Sequence, residues 1–411
     1  MKKIMYVSKL GAIGVVLLLA VLLVFGTVAV PDEMTAVSDA VPQTHLLYTL
    51  QPVAAGSATV TAQGVRSYDV QVNLLGVLPV KTATMTVRRR QYVTVSGELF
   101  GLRLYTDGVV VAGTQAVLTA DGEANPADDA GLAAGDVILR VNGETIRSHT
   151  QLAQMFASFD GTPMTVVFLR GGEQKETALS PAYCDAQKKY LAGLWIKDSA
   201  AGIGTLTFFE QESGVYAGLG HAVCDAETNE PLPLFEGDIV TATVSDCRKG
   251  SASAAGALSG KFANDRCGSL LVNGNDGVYG FLEQDVFTGS VYPVATRSEV
   301  QVGDAQIIAT VDGAGPQAFD AKIERVDKTN AKGQNLTLRI TDDALLRATG
   351  GIVQGMSGSP VVQNGMLVGA VTHVFLGDPK HGYAIFAQTM LEKAHLLTSL
   401  IDEPEMQNDA A

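Results

Sequence analysis

The sequence has little positive charge for its length. Its 411 residues include 29 Lys and Arg against 43 Asp and Glu, which gives a net charge of −14 at neutral pH. Nucleic-acid-binding proteins use clustered cations to neutralise phosphates, so this composition argues against nucleic acid as a partner. Charged residues make up only 18% of the chain, and there is a single Trp. The 44 Gly residues, together with frequent Val and Thr, predict many short strands joined by tight turns.

The chain has no C-x-x-C pair and no Walker motif. No metal site and no organic cofactor are therefore predicted. An even number of cysteines permits disulfides, and Cys247 with Cys267 could close a modest loop, but the sequence leaves their pairing open. The four cysteines are Cys184, Cys224, Cys247 and Cys267.

One long apolar run lies at the N-terminus. Residues 10–30 are 21 positions without a charge, with three lysines before them and two acidic residues after them. About 20 apolar residues span a membrane, and the positively charged flank stays in the cytoplasm. Residues 1–30 are therefore predicted to be a cytoplasmic tail and a transmembrane anchor, with an extracytoplasmic body. A cleaved signal peptide is the alternative interpretation.

Two segments follow the predicted anchor. Residues 31–96 are predicted to be a linker and a small β segment, with strand-like runs at 70–74 and 81–87. Residues 127–143 read A-D-D-A-G-L-A-A-G-D-V-I-L-R-V-N-G and resemble the PDZ signature, with a groove helix at 148–156 and a last strand at 165–170. The resemblance implies a PDZ domain at residues 97–182.

A PDZ domain binds an extended peptide as an added strand, and a Gly-rich loop holds the terminal carboxylate. A PDZ domain that only packs on its neighbour is the alternative. The residues assigned here to the peptide-binding loop are Gly97, Leu99, Phe100, Gly101 and Leu102.

The strongest catalytic signal is the string G-M-S-G-S-P at residues 355–360. It is close to the G-D-S-G-G-P of chymotrypsin-like serine peptidases, because a nucleophilic Ser must project from a tight turn that glycines permit. Ser357 is predicted to be the nucleophile, with the backbone amides of Gly355 and Ser357 as the oxyanion hole. Ser359 is the weaker candidate because Pro follows it. The Asn364–Gly365 hairpin comes next, as expected after the nucleophile.

A nucleophilic Ser needs a base, and the chain has six His. His221 lies 136 residues before Ser357, which gives the His-then-Ser order of the chymotrypsin fold, with one barrel contributing each residue. His373 is the alternative base. Strand-like runs at 8–12-residue spacing from Gly193 onward support a barrel architecture, and residues 388–401 are predicted to form a terminal helix.

Three strings together resemble the stage IV sporulation protein B (SpoIVB) family. They are G-L-G-H at 218–221, T-G-G-I-V-Q-G-M-S-G-S-P at 349–360 and A-V-T-H-V-F at 370–375. The resemblance implies a serine endopeptidase in the space between the two forespore membranes. Such an enzyme cleaves itself and a membrane-bound regulator of an intramembrane protease, which triggers late mother-cell sigma-factor activation. His221 and Ser357 match the catalytic pair of that family.

The sequence offers several candidates for the third member of the triad. Asp342 ends a predicted strand 15 residues before Ser357, and the family resemblance implies a catalytic Asp there. Asp343 is predicted instead to cap a short helix at 344–348. In the chymotrypsin fold the acid comes from the first barrel, where the candidates are Asp238, Asp246, Asp276 and Asp285.

These observations predict a mainly β protein, with a chymotrypsin-like double barrel at residues 183–411 preceded by the PDZ domain and the anchor. The predicted activity is that of a serine endopeptidase whose partners are its protein substrate, itself and the membrane. A non-catalytic module that senses peptides through its PDZ domain and a degenerate barrel is the alternative.

Overall fold

A computed structural model describes residues 14, 16–27, 30, 32–37, 47–53, 59–60, 66–87, 89–226, 228–330 and 333–402. The chain divides into two compact units, Met1–Gln91 and Tyr92–Ala411.

The first unit is a small sheet with one helix. Strands β4 and β5 form an antiparallel hairpin, and the sheet order is β1-β5-β4-β2, with β3 paired to β4. Alternate side chains, among them Val70, Val72 and Met85, are buried on one face, and Leu22 of the helix packs against them. The predicted strands at 70–74 and 81–87 are confirmed. The elements are α1 (residues 16–27), β1 (Glu33–Ala36), β2 (Tyr48–Pro52), β3 (Thr59–Val60), β4 (Arg66–Leu74) and β5 (Leu78–Val87).

Within the described residues, no helix combines the length and apolarity needed to cross a membrane. Among the described residues of the predicted anchor, residue 14 and residues 16–27 are helical. Residues 1–13, 15, 28 and 29 of the predicted tail and anchor lie outside the described residues.

The second unit begins with β6 and the long strand β7, followed by the PDZ region. Helix α3 confirms the predicted groove helix, and the Ser148 side chain caps it by accepting the amide of Gln151. The elements are β6 (Tyr92–Val95), β7 (Leu99–Thr114), β8 (Val117–Thr119), β9 (Gly122–Ala124), α2 (Pro126–Asp129), β10 (Val137–Val141), β11 (Glu144–Thr145), α3 (His149–Ala157), β12 (Met164–Arg170), β13 (Glu173–Leu179), β14 (Ala182–Cys184) and β15 (Lys189–Leu191).

Five of the next six strands complete a first barrel together with β7. Strands β7, β18, β19, β20, β17 and β16 form a ring that the β7–β16 pairing closes. Its core contains Phe100, Leu206, Tyr216, Ile239 and Val278, all fully buried. The strands are β16 (Leu194–Phe209), β17 (Val215–Gly218), β18 (Leu234–Arg248), β19 (Ala257–Gly274), β20 (Gly277–Leu282) and β21 (Ser290–Pro293).

The PDZ region is inserted into this barrel. The start of β7 pairs with the end of β16, Leu99 opposite Thr205, whereas the end of β7 pairs with the start of β16, Thr114 opposite Leu194. The second half of β7 belongs to the PDZ core, in which Val109 and Val111 are fully buried. The predicted boundaries at 97 and 183 are therefore misplaced, because both long strands run from one core into the other.

The second barrel is closed and made of consecutive strands. Its order is β22-β23-β24-β27-β26-β25, around a core that includes Ile307, Ile323 and Leu338. The predicted hairpin at Asn364–Gly365 and the predicted terminal helix are confirmed. The elements are β22 (Gly303–Ala309), β23 (Gln317–Val326), β24 (Leu336–Ile340), α4 (Asp343–Thr349), β25 (Pro360–Gln363), β26 (Met366–Phe375), β27 (Asp378–Phe386) and α5 (Ala387–Asp402). The mainly β fold class and the double barrel are thus confirmed.

All four cysteines are free. Cys247 on β18 lies opposite Leu258 on β19. Leu258 is nine positions before Cys267 on the same strand. At about 3.3 Å per residue this separates the two cysteines by about 30 Å, too far for the disulfide that the sequence allowed.

Candidate active site

Ser357 lies on a tight turn between α4 and β25 of the second barrel. Gly355 and Gly358 on either side have φ values of +98° and +93°, which side-chain-bearing residues rarely adopt. A Cβ on Gly358 would collide with the backbone of Thr205 and Leu219 in the first barrel. The glycines therefore shape the turn and also let it approach the first barrel closely. Ser359, the rival nucleophile, is fully buried and cannot reach a substrate.

Two backbone amides of this turn are left without an acceptor. Within the described part of the chain, the N–H groups of Gly355 and Ser357 make no hydrogen bond, whereas the amides of Met356 and Ser359 bond to Val353 and Met356. Unpaired amides beside a nucleophile can hold the negative oxygen of a tetrahedral intermediate. This is the arrangement predicted for the oxyanion hole.

His221 is presented by the first barrel, at the end of β17. Leu219 and Gly220 have φ values of +61° and +70°, so the chain turns sharply just before the imidazole. A Cβ on Gly220 would lie 2.9 Å from Thr372 of the second barrel. The histidine is thus placed where the two barrels meet.

The Nδ1 atom of His221 lies 2.7 Å from the carbonyl oxygen of Ala222. A carbonyl only accepts hydrogen bonds, so Nδ1 carries the proton and Nε2 keeps its lone pair, which is the tautomer that a base requires. Burial, with a further contribution from His373, lowers the pKa of His221 to about 4. His221 is therefore neutral at physiological pH.

One cleft of about 430 Å³ brings the predicted residues together. Its walls include His221 and Cys224 from the first barrel, and Gly355, Ser357 and His373 from the second. The ring centroids of His221 and His373 are 4.8 Å apart. The hydroxyl of Ser357 donates to the carbonyl of Thr372 at 2.8 Å.

The structure does not support Asp342 as the third member of the triad. Its carboxylate accepts the amide of Leu345 at 2.9 Å and caps helix α4, so the prediction that Asp343 is the cap was wrong. These bonds to backbone amides lower the pKa of Asp342.

The first-barrel acids do not replace it. Asp238 pairs with Arg103 at 2.6 Å, and Asp246 and Asp285 are exposed. Asp276 is half-buried, which raises its pKa, and it lines a different pocket. Among the described residues no carboxylate pairs with His221, whose Nδ1 partner is the Ala222 carbonyl.

The residues assigned to the PDZ peptide loop lie in the first barrel. Leu102 and Gly101 pair with Ile239 and Val240 of β18, and Phe100 is fully buried in the barrel core. The assignment was wrong because residues 99–114 form one strand, β7, which continues from the first barrel into the PDZ region. A separate loop had been expected at residues 97–102. The residues to which this correction applies are Gly97, Leu99, Phe100, Gly101 and Leu102.

Sequence reasoning missed two residues that hold the nucleophile turn. The hydroxyl of Thr205 donates to the Gly355 carbonyl at 2.8 Å, and that of Thr207 donates to the Gly358 carbonyl at 2.7 Å. Both are fully buried on β16. The two threonines are two positions apart on β16, a spacing that is equally typical of ordinary core residues. No sequence signal therefore distinguished them.

Family models agree with this geometry. Residues 188–391 match the SpoIVB peptidase S55 family, and residues 122–170 match a PDZ domain. Residues 188–391 are thus similar to a serine peptidase family over just under half of the chain. The enzymatic interpretation is therefore confirmed over the non-catalytic one. The S55 match begins after β7, although β7 supplies one strand of the peptidase's first barrel.

The sequence matches none of the curated proteins compared with it. Among solved structures, the PDZ domain of the SdrC-like protein from Listeria monocytogenes is 22% identical, covering 22% of this chain and 90% of that one, with a TM-score of 0.19. The active form of the Rv3671c protease from M. tuberculosis is 14% identical, covering 47% and 74%, with a TM-score of 0.30. The HtrA-type protease AlgW with a decapeptide is 12% identical, covering 75% and 66%, with a TM-score of 0.32.

Proposed function

We propose that this S55 peptidase is an endopeptidase that uses Ser357 and His221 as a catalytic pair. The observation that carries the proposal is the convergence of three features in one cleft. These are a hydroxyl on a tight glycine turn, a neutral imidazole with a free Nε2, and two unpaired backbone amides.

The reaction begins when the Ser357 hydroxyl leaves the Thr372 carbonyl and turns towards Nε2 of His221. As Oγ attacks the scissile carbonyl, Nε2 takes the hydroxyl proton and later gives it to the leaving amine. The amides of Gly355 and Ser357 hold the oxyanion that forms. Water then attacks the acyl-enzyme: Nε2 of His221 takes a proton from the water and gives it to Oγ of Ser357 as the acid product leaves.

The Ala222 carbonyl does part of the work of a triad acid. It fixes the tautomer and orientation of His221, and its partial negative charge supports the imidazolium that forms in the transition state. A carbonyl dipole stabilises that cation less than a carboxylate would. The mechanism is therefore a Ser–His pair with backbone support.

We propose the biological role that the matched family's name and the resemblance of the three sequence strings to the SpoIVB family imply. The enzyme cleaves itself and a membrane-bound regulator of an intramembrane protease during sporulation, in the forespore intermembrane space. Residues 1–30 anchor it to the membrane until cleavage between residues 31 and 97 releases the body. The PDZ region binds an extended peptide of the substrate or of the enzyme itself.

Self-cleavage tests this proposal directly. The full-length protein and Ser357→Ala are produced in membranes, and their N-termini are determined by mass spectrometry. The proposal predicts new N-termini between residues 31 and 97 in the wild type alone, with cleavage of a co-expressed membrane-bound regulator. An intact N-terminus and an uncut regulator in both proteins would overturn it.

A further inference from the structure

Thr205 connects the two halves of the candidate active site. Its amide donates to the carbonyl of Ser357 at 2.9 Å, and its hydroxyl donates to the carbonyl of Gly355 at 2.8 Å. Its own carbonyl accepts the amide of Leu219 at 3.3 Å, two residues before His221. One fully buried residue of β16 thus contacts both the nucleophile turn and the segment that carries the base.

The hydrogen bond from the Thr205 hydroxyl to the Gly355 carbonyl holds the peptide group between the two candidate oxyanion-hole amides. The Gly355–Met356 peptide separates the two amides of the oxyanion hole, and Gly355 is a glycine with a φ of +98°. A glycine rotates more freely than any other residue, so an unrestrained peptide here can change the direction of the amides beside it. The Thr205 hydroxyl restrains the carbonyl of this peptide.

The ends of the turn are held without Thr205. Upstream, the amide of Leu258 donates to the Gln354 carbonyl at 2.8 Å, and downstream the amide of Ser359 donates to the Met356 carbonyl at 2.9 Å. Loss of the Thr205 hydroxyl therefore leaves the Gly355–Met356 peptide held by the Met356 amide alone, which donates to the Val353 carbonyl at 3.1 Å, while the ends of the turn stay in place.

We propose that Thr205 is a positioning residue for proteolysis, whose hydroxyl fixes the Gly355 carbonyl and thereby aligns the Gly355 and Ser357 amides on the oxyanion. The inference rests on the proposed catalytic use of Ser357. Because the aligned amides are needed in the transition state more than in substrate binding, loss of the hydroxyl lowers kcat and leaves KM nearly unchanged.

The test compares three full-chain variants with casein as substrate. Thr205→Val removes the hydroxyl at nearly constant volume, and Thr205→Ser keeps it. Thr310→Val is the matched control, because Thr310 is also a buried threonine whose hydroxyl donates to a glycine carbonyl, that of Gly97 at 2.9 Å. If Thr205→Val does not fold, Thr205→Ala is measured in its place.

Removal of one oxyanion donor costs about 10²–10³-fold in kcat, so misalignment of the donors is expected to cost about 10- to 100-fold. Thr205→Val shows this loss at unchanged KM, while Thr205→Ser and Thr310→Val stay within about threefold of wild type. Equal kcat in Thr205→Val and Thr310→Val, or an equal loss in Thr205→Ser, overturns the inference. Full activity of Ser357→Ala would instead overturn the proposed function, so the two failures are distinguishable.

Discussion

Both barrels contribute to the cleft, but they are built very differently. The second barrel closes over consecutive residues from 303 to 386 and carries the nucleophile turn. The first barrel carries His221, and its ring is closed by β7 and β16, whose far ends belong to the PDZ region. The proposed nucleophile thus belongs to a self-contained barrel, whereas the proposed base depends on a barrel that shares two strands with the PDZ region.

Close backbone contact joins these unlike halves. Gly358 on the nucleophile turn and Gly220 before the histidine both lie where a side chain would strike the other barrel. Buried hydrogen bonds from Thr205 and Thr207 cross the same seam. The proposed catalytic pair is therefore expected to be sensitive to any change that moves the first barrel, including changes in β7 itself.

The largest effect is expected from a charge placed on β7 inside the first barrel. A Cβ on Gly101 would lie 2.7 Å from Phe262 and 2.8 Å from Val240, so Gly101→Asp overpacks this site and sets a carboxylate against two apolar side chains. The expected destabilisation is about 3 kcal/mol or more, with loss of cleavage of casein and of short peptides alike. Thermal melting and both activity assays measure it.

Gly113→Asp on the same strand is the matched control. Gly113 lies in the PDZ half of β7, and a Cβ there meets nothing within 4 Å. It is expected to melt like the wild type and to cleave short peptides normally. If the two variants behave alike, β7 does not divide between the two cores as described.

A smaller effect concerns the pH dependence of the base. Because burial lowers the pKa of His221 to about 4, its neutral form persists as the pH falls. At pH 5.5 an ordinary histidine with a pKa near 6.5 would be about one-tenth neutral, whereas His221 remains largely neutral. We expect kcat/KM at pH 5.5 to stay within about twofold of its value at pH 7.5.

The pH profile is measured from pH 4 to 8, with circular dichroism to confirm that the protein remains folded. His149→Ala, which changes an exposed histidine of the PDZ region, should leave the profile unchanged. Half-maximal activity near pH 6.5 in the folded wild type would show that the base is not the buried His221.

The smallest effect is expected at Asp342. Loss of a helix cap costs about 1 kcal/mol, so Asp342→Ala should lower the melting temperature by a few degrees, while Asp342→Asn keeps a capping side chain and stays near wild type. Asp343→Ala, next to it and exposed, is the control. A loss of kcat by orders of magnitude in folded Asp342→Asn would restore a triad role to this carboxylate.

The sequence predicted the local parts of this structure best. The glycines around Ser357, the hairpin at Asn364–Gly365 and the Ser148-capped helix α3 each depend on neighbours within a few residues. The pairing of strands about 100 residues apart could not be predicted from the sequence. Because the pairing of β7 with β16 and β18 in one barrel was not foreseen, residues 97–102 were predicted to be a PDZ loop. The support for His221 was missed because it comes from a backbone carbonyl, which any residue at position 222 supplies.

The central claim is that Ser357 from the second barrel is activated by His221 from the first. Active-site labelling tests this claim most directly. Wild type, Ser357→Ala, Ser359→Ala and His221→Ala are treated with a fluorophosphonate, and the labelled peptide is identified by mass spectrometry. The claim predicts modification of Ser357 in wild type and in Ser359→Ala, none in Ser357→Ala, and labelling slowed by about 10³-fold or more in folded His221→Ala. Labelling of Ser359, or an unchanged rate in His221→Ala, would contradict it.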